Sequence, residues 1–310
     1  MVKILHLDEN HEILKNGLSE LGFQNIFDFT SDKNEIEKII GQFHGIVIRS
    51  RISIDSNLLN NAKNLKFIAR VGSGTENIDI GCAKEKGIVV LSAGEGNANA
   101  VGEHSLSMLL SLFNNITKSN NEINNNIWSR EENRGLELTN KTIGIIGYGN
   151  TGRSFANKLS GFNVKILFHD IIEKRADNFV KQVTINEIKN SCDVISLHTD
   201  LNKSSKYLID KSFIYDCKKS FYLINTSRGE CLKTSDLVYA IKDGKVLGAC
   251  LDVIENETSS FENIKYDDDL NFLKMSEKVI LTPHIAGWTF ESKIKLSEII
   301  LEKIKQLFKR

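Results

Sequence analysis

Short β-branched apolar runs alternate with amphipathic stretches along this whole chain, and that alternation restricts the fold more than any other feature. Runs too short for a helix, each followed by apolar residues at helical spacing, are the pattern of βα units around a parallel sheet. The first set of strand candidates is Val2–Asp8, Gly45–Ser50, Leu65–Gly72 and Gly87–Ala93, with helix candidates such as Asn10–Gly22 and Asp32–Phe43 between them. Asp32 is a good N-cap, with Glu35 at the capping-box position. From Ala100 to about Ile123 the spacing predicts one long helix with Leu106, Leu109, Leu110 and Phe113 on one face. A polar connection containing WSREENRGLEL follows. The second series is more regular: Thr142–Gly147, Lys165–Asp170, Asp193–Thr199, Ser220–Thr226, Val246–Val253 and Val279–Thr282. Six strands with intervening helices fit a doubly wound sheet. That set is complete before the last helical stretch, whose stripe is Ile300, Ile304 and Leu307. The final helix is therefore expected to return to the first domain and make it discontinuous.

A length of 310 residues suits two domains. Forty basic and forty acidic residues cancel, which argues against a nucleic-acid footprint or attraction to anionic lipid. No apolar run approaches the roughly 18 residues needed to span a bilayer, and the N-terminus MVKILHLDEN does not read as a signal peptide. Cys82, Cys192, Cys217, Cys231 and Cys250 are odd in number, widely spaced and without a CxxC pair. Reduced thiols in a cytoplasmic protein, with no metal, are the expectation. The single proline, Pro283, stands beside His284, where average usage would give roughly fifteen prolines in such a chain.

KTIGIIGYGNTGRSFANKL places Gly147, Gly149 and Gly152 in G-x-G-x-x-G spacing between an apolar strand and a helical pattern. Alone the triplet says little. In this context Gly147 allows the tight turn, Gly149 lets a pyrophosphate approach the backbone, and Gly152 lets helix pack on strand. The helix N-terminus then offers free N–H groups to phosphates. The next strand ends in Asp170, near the distance at which a carboxylate meets a ribose. That acid repels a 2′-phosphate, so NAD is expected rather than NADP.

Three later strand ends carry polar groups. LINTSRGECL leaves its apolar run at Asn225 and reaches Arg228; GACLDVIENET leaves at Asp252 and reaches Glu257; VILTPHIAGW ends at His284. Ligands in open α/β sheets bind at the carboxyl ends of strands, so the three are expected to converge. Arginine clamps a carboxylate and polarises the neighbouring carbonyl, histidine trades a proton with the reacting oxygen, and glutamate orients the imidazole. Singly each has a bland alternative: a surface arginine, one acid in an acidic loop, a capped strand end.

With these motifs in order, the chain resembles the D-isomer-specific 2-hydroxyacid dehydrogenases over nearly its whole length, most closely the phosphoglycerate dehydrogenase branch. The resemblance implies two doubly wound parallel-sheet domains. A flavodoxin-like substrate domain (1–96 and 289–310) would hold an inserted Rossmann NAD-binding domain (97–288). RVGSGTENID, from Arg70 to Asp79, is similar to the family's carboxylate-binding loop and puts Ser73 and Gly74 at the substrate. By the same likeness Asn150 and Thr151 lie on the pyrophosphate and Thr199 near the cofactor. Thr226, Ser227 and Asp252 lie by the nicotinamide, and Ala286 and Gly287 line the cofactor beside His284. Arg228, Glu257 and His284 take the catalytic roles. Two habitual family prolines are replaced, by Asp200 and Thr258, and the stretch from Glu257 to His284 is longer than usual, with acids at Asp267–Asp269. Pro283 stays, and is read as a device that positions His284.

In the phosphoglycerate branch the counterparts of Arg49, Arg70 and Arg130 form the phosphate end of the pocket, the last from a partner subunit of a homodimer. Arg134 lies nearby, and Glu131 and Glu132 weaken the field at Arg130. The resemblance implies oxidation of 3-phosphoglycerate to 3-phosphohydroxypyruvate, towards serine. Reduction of glyoxylate, hydroxypyruvate or a similar 2-oxo acid is the alternative, and an NAD-sensing corepressor or scaffold is a third. The chain ends soon after the last helix, so feedback through an appended regulatory domain is not expected.

Overall fold

The structure is a computed structural model that describes residues 1–172, 180–255, 257 and 264–309. Contacts divide the chain into two compact units, one built on Met1–Asn97 and resumed at Trp288, the other comprising Ala98–Glu257 and Ile264–Gly287.

The first unit alternates β1 (Lys3–His6), α1 (Glu12–Glu20), β2 (Gln24–Phe27), α2 (Lys33–Ile39), β3 (Gly45–Ile48), α3 (Ser56–Asn61), β4 (Phe67–Arg70), α4 (Ile80–Glu85) and β5 (Val89–Ser92). The strands are parallel in the order β2-β1-β3-β4-β5, the flavodoxin-like arrangement. The side-chain period of two sorts the strands onto two cores. Leu5, Ile46, Ile48 and Ile68 pack with Ile36 and Leu58, while Ile4, Val47, Phe67 and Ala69 pack with Leu14 and Leu18. Asp32 and Glu35 form the expected capping box on α2, each side chain accepting the other's N–H at 2.9 Å. Strand β2 is a departure from the sequence reading: it lies at the sheet edge with no buried residue, so its apolar signal is weak.

The second unit begins with α5 (Ala98–Phe113) and α6 (Ile116–Asn124), then β6 (Thr142–Ile146), α7 (Asn150–Lys158), β7 (Lys165–His169), β8 (Lys181–Gln182), α8 (Ile185–Ser191) and β9 (Val194–Leu197). It continues with α9 (Lys211–Asp216), β10 (Phe221–Asn225), α10 (Thr234–Lys242), β11 (Val246–Leu251), α11 (Asp268–Met275) and β12 (Val279–Leu281). The seven-stranded sheet is parallel, ordered β12-β11-β10-β9-β6-β7-β8. The order reverses between β6 and β9, the switch point at which doubly wound sheets bind ligands. Two readings change here. The expected long helix is two: α5 ends where Leu136 N–H donates to Phe113 O at 2.8 Å, and Asn115 enters the left-handed region at φ 51°. The six expected strands gain a seventh in the two-residue β8, which carries no apolar run. The anticipated face of α5 holds, with Leu109 and Phe113 buried and Leu106 and Leu110 packed against the same cluster.

The chain then re-enters the first unit as α12 (Phe290–Phe308), whose Ile300 and Ile304 are fully buried against Leu14 and Leu18. Gly17 permits the approach, since a Cβ there would lie 2.2 Å from Leu301 Cδ2. Each buried isoleucine contributes about 1.5–3 kcal/mol. Among the described residues no helix is long and apolar enough to cross a membrane, and no group of three or more His, Cys, Asp or Glu side chains is arranged to hold a metal. All five cysteines are free thiols.

Candidate active site

The glycine loop closes the switch point through backbone contacts that exclude other residues. Gly147 has φ 89°, and a Cβ there would lie 2.5 Å from His198 O. A Cβ on Gly152 would lie 2.1 Å from Gly147 O, so α7 starts hard against the strand end. The N-cap of α7 is Gly149, which brings no side chain to its first-turn N–H groups; Asn150 beside it is exposed and Thr151 half-buried. Asp170, at the end of β7, accepts from Tyr148 N at 2.7 Å and Ile172 N at 2.9 Å, which pins its carboxylate beside the loop. Uncapped N–H groups and a fixed carboxylate suit a pyrophosphate and a ribose respectively. Behind the loop, His198 is buried with Nε2 2.9 Å from Ser196 Oγ, and burial pushes its pKa down to about 3.

Three adjacent strands, β10, β11 and β12, lead into the segments that carry Arg228, Glu257 and His284. At the end of β10 the fully buried Asn225 shapes an Asx turn: its Oδ1 accepts from Ser227 N (3.1 Å) and Oγ (2.8 Å), and its Nδ2 donates to Arg228 O at 3.0 Å. Arg228 Nη1 donates to Ser227 O at 2.7 Å. Thr226 and Ser227 are buried, and Thr226 Oγ1 lies 3.0 Å from Ser105 Oγ on α5. Thr199, at the end of β9, sits half-buried with Oγ1 3.5 Å from Cys231 Sγ.

His284 and Glu257 meet. Glu257 Oε2 is 2.6 Å from His284 Nδ1, and Glu257 Oε1 accepts from Ile254 N at 2.7 Å. A carboxylate only accepts, so a neutral imidazole in this pair carries its proton on Nδ1 and presents Nε2 as the lone-pair nitrogen. Pro283 is the centre of a three-residue turn in which His284 N donates to Thr282 O at 3.0 Å as well as to Asp252 O at 2.8 Å. An inverse γ-turn needs a central φ near −75°, which a proline ring nearly fixes. His284 itself then takes φ 56°, a left-handed conformation that costs a non-glycine residue about 1–3 kcal/mol.

Asp252 holds this strained turn in place, a task the sequence did not reveal. Its side chain is 2% exposed and accepts from Thr282 Oγ1 (2.6 Å), Ile285 N (2.9 Å) and Ala286 N (2.8 Å). His104 on α5 adds Nε2 at 3.0 Å from Thr282 Oγ1 and 3.5 Å from Asp252 Oδ1. Ala286 is buried and Gly287 half-buried. The acids Asp267–Asp269 open α11, where Asp267 Oδ1 caps Leu270 N at 2.8 Å and negative charge suits the helix dipole. Asp200 O accepts from Ser205 Oγ at 2.6 Å in a polar turn. Thr258 lies outside the described residues.

The remaining candidates belong to the first unit. Arg70 ends β4 opposite Ile48 of β3, so Arg49 and Arg70 leave neighbouring strands at the same end of the sheet. The Arg49 guanidinium stacks 4.0 Å over the Trp288 ring, and Arg70 Nη1 donates to Val71 O at 3.2 Å. Asn77 Nδ2 donates to Arg49 O (3.1 Å) and Ile52 O (3.2 Å), and Asp79 caps α4 through Cys82 N at 2.9 Å. Two positions of the Arg70–Asp79 motif thus tie the loop down, leaving half-buried Ser73 and buried Gly74 between them. Arg130, in the second unit, is exposed, and Arg134 pairs with Glu131 at 2.6 Å on the surface.

A doubly wound sheet with a glycine-lined switch point, followed by a histidine–glutamate pair and an arginine on its next strands, defines a dinucleotide-dependent oxidoreductase site. Residues 106–286 match the NAD-binding domain of the D-isomer specific 2-hydroxyacid dehydrogenases. The chain is 33% identical to a hydroxypyruvate reductase of Thermotoga maritima over 273 residues, 88% of this chain and 87% of that protein. It is 34% identical to a D-3-phosphoglycerate dehydrogenase of Archaeoglobus fulgidus over 280 residues, 89% of this chain, and spans 52% of that relative's length. The crystal structure of an Aquifex aeolicus D-lactate dehydrogenase complexed with NAD and lactic acid superposes with a TM-score of 0.85 at 26% identity, covering 99% of this chain and 95% of that one. This chain belongs to the D-isomer specific 2-hydroxyacid dehydrogenase family, and its cofactor is NAD.

Proposed function

We propose that the protein oxidises a D-2-hydroxy acid with NAD, and that the acid is 3-phosphoglycerate, giving 3-phosphohydroxypyruvate for serine biosynthesis. The observation that carries the reaction class is the 2.6 Å His284–Glu257 pair at the ends of β11 and β12, next to the Arg228 turn of β10. His284 Nε2 takes the hydroxyl proton while Glu257 holds the ring and stabilises the imidazolium that forms. Arg228 clamps the substrate carboxylate and steadies the carbonyl oxygen as it appears. Gly147–Gly152 and Asp170 would hold NAD, which when bound would supply the acceptor for the hydride leaving the substrate carbon. Asn150 and Thr151 face the pyrophosphate in this reading, Thr199, Thr226, Ser227 and Asp252 the nicotinamide end, and Ala286 and Gly287 line the same site. Ser73 and Gly74 supply N–H groups to the carboxylate.

Arg49 and Arg70, leaving adjacent strands at one end of their sheet, support a phosphorylated substrate. Arg130 completes that set from the partner subunit of a homodimer. A dimer is supported by Ile116, Ile123, Ile127 and Trp128, all at least half exposed along α6 and the segment after it. Five free thiols support a reducing cytoplasmic setting. The second reading, reduction of hydroxypyruvate or glyoxylate, is favoured by the Thermotoga relative, which the chain covers almost fully.

Arg49→Ala and Arg70→Ala assayed on both substrate types decide between them. Each charge-assisted bond to a phosphate is worth roughly 1.5–3 kcal/mol, so each variant should lose about 10- to 150-fold in kcat/KM on 3-phosphoglycerate and little on an unphosphorylated D-2-hydroxy acid. Equal losses on both substrates give the site to the unphosphorylated acid.

A further inference from the structure

Glu255 lies two residues before Glu257 and takes no part in the chemistry above, yet three donors from two separate segments end on its carboxylate. Tyr207 Oη donates to Glu255 Oε1 at 2.7 Å, Lys233 Nζ to the same oxygen at 3.1 Å, and Thr234 N to Oε2 at 3.0 Å. Burial opposes the charge, and the donors from Thr234, Tyr207 and Lys233 outweigh it, so the carboxyl sits below its ordinary pKa. The N-cap of α10 is Lys233, which makes no side-chain cap, so Glu255 supplies the anion at that helix start from the turn after β11.

The segments gathered here are those that carry the reacting groups. Between Arg228 and Lys233 the chain is a single 3-10 turn, and Gly229 within it touches the Glu255 segment: a Cβ there would lie 2.0 Å from Ile254 O and 2.6 Å from Glu255 N. Tyr207 also holds this turn, its N–H donating to Glu230 O at 2.7 Å, and its own φ is 51°. Ile254, the neighbour of Glu255, donates its N–H to Glu257 Oε1 and accepts the Glu257 N–H at 3.3 Å. The Arg228 loop and the Glu257 turn therefore share one anchor. We propose that Glu255 is a positioning residue that sets Arg228 relative to the Glu257–His284 pair, with Tyr207, Lys233 and Thr234 as its donors; the inference rests on the dehydrogenase reading.

The test uses full-length protein, NAD and the D-2-hydroxy acid that the wild type turns over best. Glu255→Ala should lower kcat/KM about 10- to 100-fold, the scale of a misplacement near 1 Å, while the NAD dissociation constant measured by calorimetry changes less than about threefold. Glu255→Gln keeps the shape and one acceptor oxygen and should recover most of that loss. Tyr207→Phe, which deletes a single donor, should fall between wild type and Glu255→Ala. In the double variant Glu255→Ala/Glu257→Gln the two losses should combine to much less than their product, because both displace the same pair. Losses that multiply, or NAD affinity that falls in step with turnover, would overturn the proposal and leave Glu255 a general stabiliser. If Glu255→Ala does not fold, Tyr207→Phe and Glu255→Gln in the same cycles decide it. A wild type without turnover on any D-2-hydroxy acid refutes the reaction reading instead.

Discussion

Replacing Asp252 by alanine removes the acceptor of two consecutive backbone N–H groups, Ile285 at 2.9 Å and Ala286 at 2.8 Å, in a place where the parent side chain is 2% exposed. Thr282 Oγ1 keeps an alternative partner in His104 at 3.0 Å, so the amides bear the loss. Hydrogen bonds to a charged acceptor are worth about 1.5–3 kcal/mol each, or about 3–6 for the pair. Removing a buried charge returns part of this, since its desolvation was unfavourable. The net change in the local opening of the Thr282–Gly287 turn should be about 2–4 kcal/mol, which is roughly 30- to 1,000-fold in exchange rate. Hydrogen exchange read by mass spectrometry, on peptides covering this turn and covering β6, measures it directly. Asp252→Asn retains one acceptor oxygen and should fall between the two. Turnover should drop with the turn's protection, because the same turn holds His284 in its left-handed conformation. Unchanged protection in Asp252→Ala, or an equal loss across the β6 peptides, would refute the reasoning.

Other perturbations follow from single contacts. Asp170→Ala should raise the NADP-to-NAD ratio of kcat/KM, since no carboxylate then meets the 2′-phosphate; an unmoved ratio takes Asp170 out of the cofactor site. Gly152→Ala places a methyl group 2.1 Å from Gly147 O and should abolish NAD binding in calorimetry, whereas Gly161→Ala, with open space around it, should not. His198 has a folded pKa of about 3, below the ordinary 6.5 of the unfolded chain, so protons bind the unfolded state first. Its contribution to stability is lost as pH falls from about 6.5 towards 3, at up to about 1.4 kcal/mol per unit, and His198→Asn should show a shallower decline in urea unfolding over that range.

Much of this architecture could be read from the chain because the signals were local. The Thr142–Ile146 and Lys165–His169 strands begin where the apolar runs begin, and the Asp32–Glu35 capping box is a four-residue pattern. Strands β2 and β8 escaped because edge strands need few apolar residues, and the break between α5 and α6 escaped because it depends on Asn115 adopting φ 51° and on the distant Leu136 N–H donating to the Phe113 carbonyl. The site divides the same way. Glycine spacing and polar strand ends single out Gly147, Asp170, Arg228, Glu257 and His284 as candidates. What holds them is long-range: His104 meets Thr282 across 178 positions, and Tyr207 meets Glu255 across 48. No periodicity records such pairings, so they appear only when the chain is folded.

The histidine turn hangs from β12, the three-residue edge strand of its sheet, hydrogen-bonded to β11 and with each residue only half-buried. The glycine loop instead follows β6, paired on both sides by β7 and β9. Opening free energies within one domain track such differences in coverage, and edges yield before centres. Gentle warming or dilute denaturant should therefore release β12 and its histidine before β6 and its loop. Loss of turnover on gentle warming should then precede loss of dinucleotide binding, and should reverse on cooling.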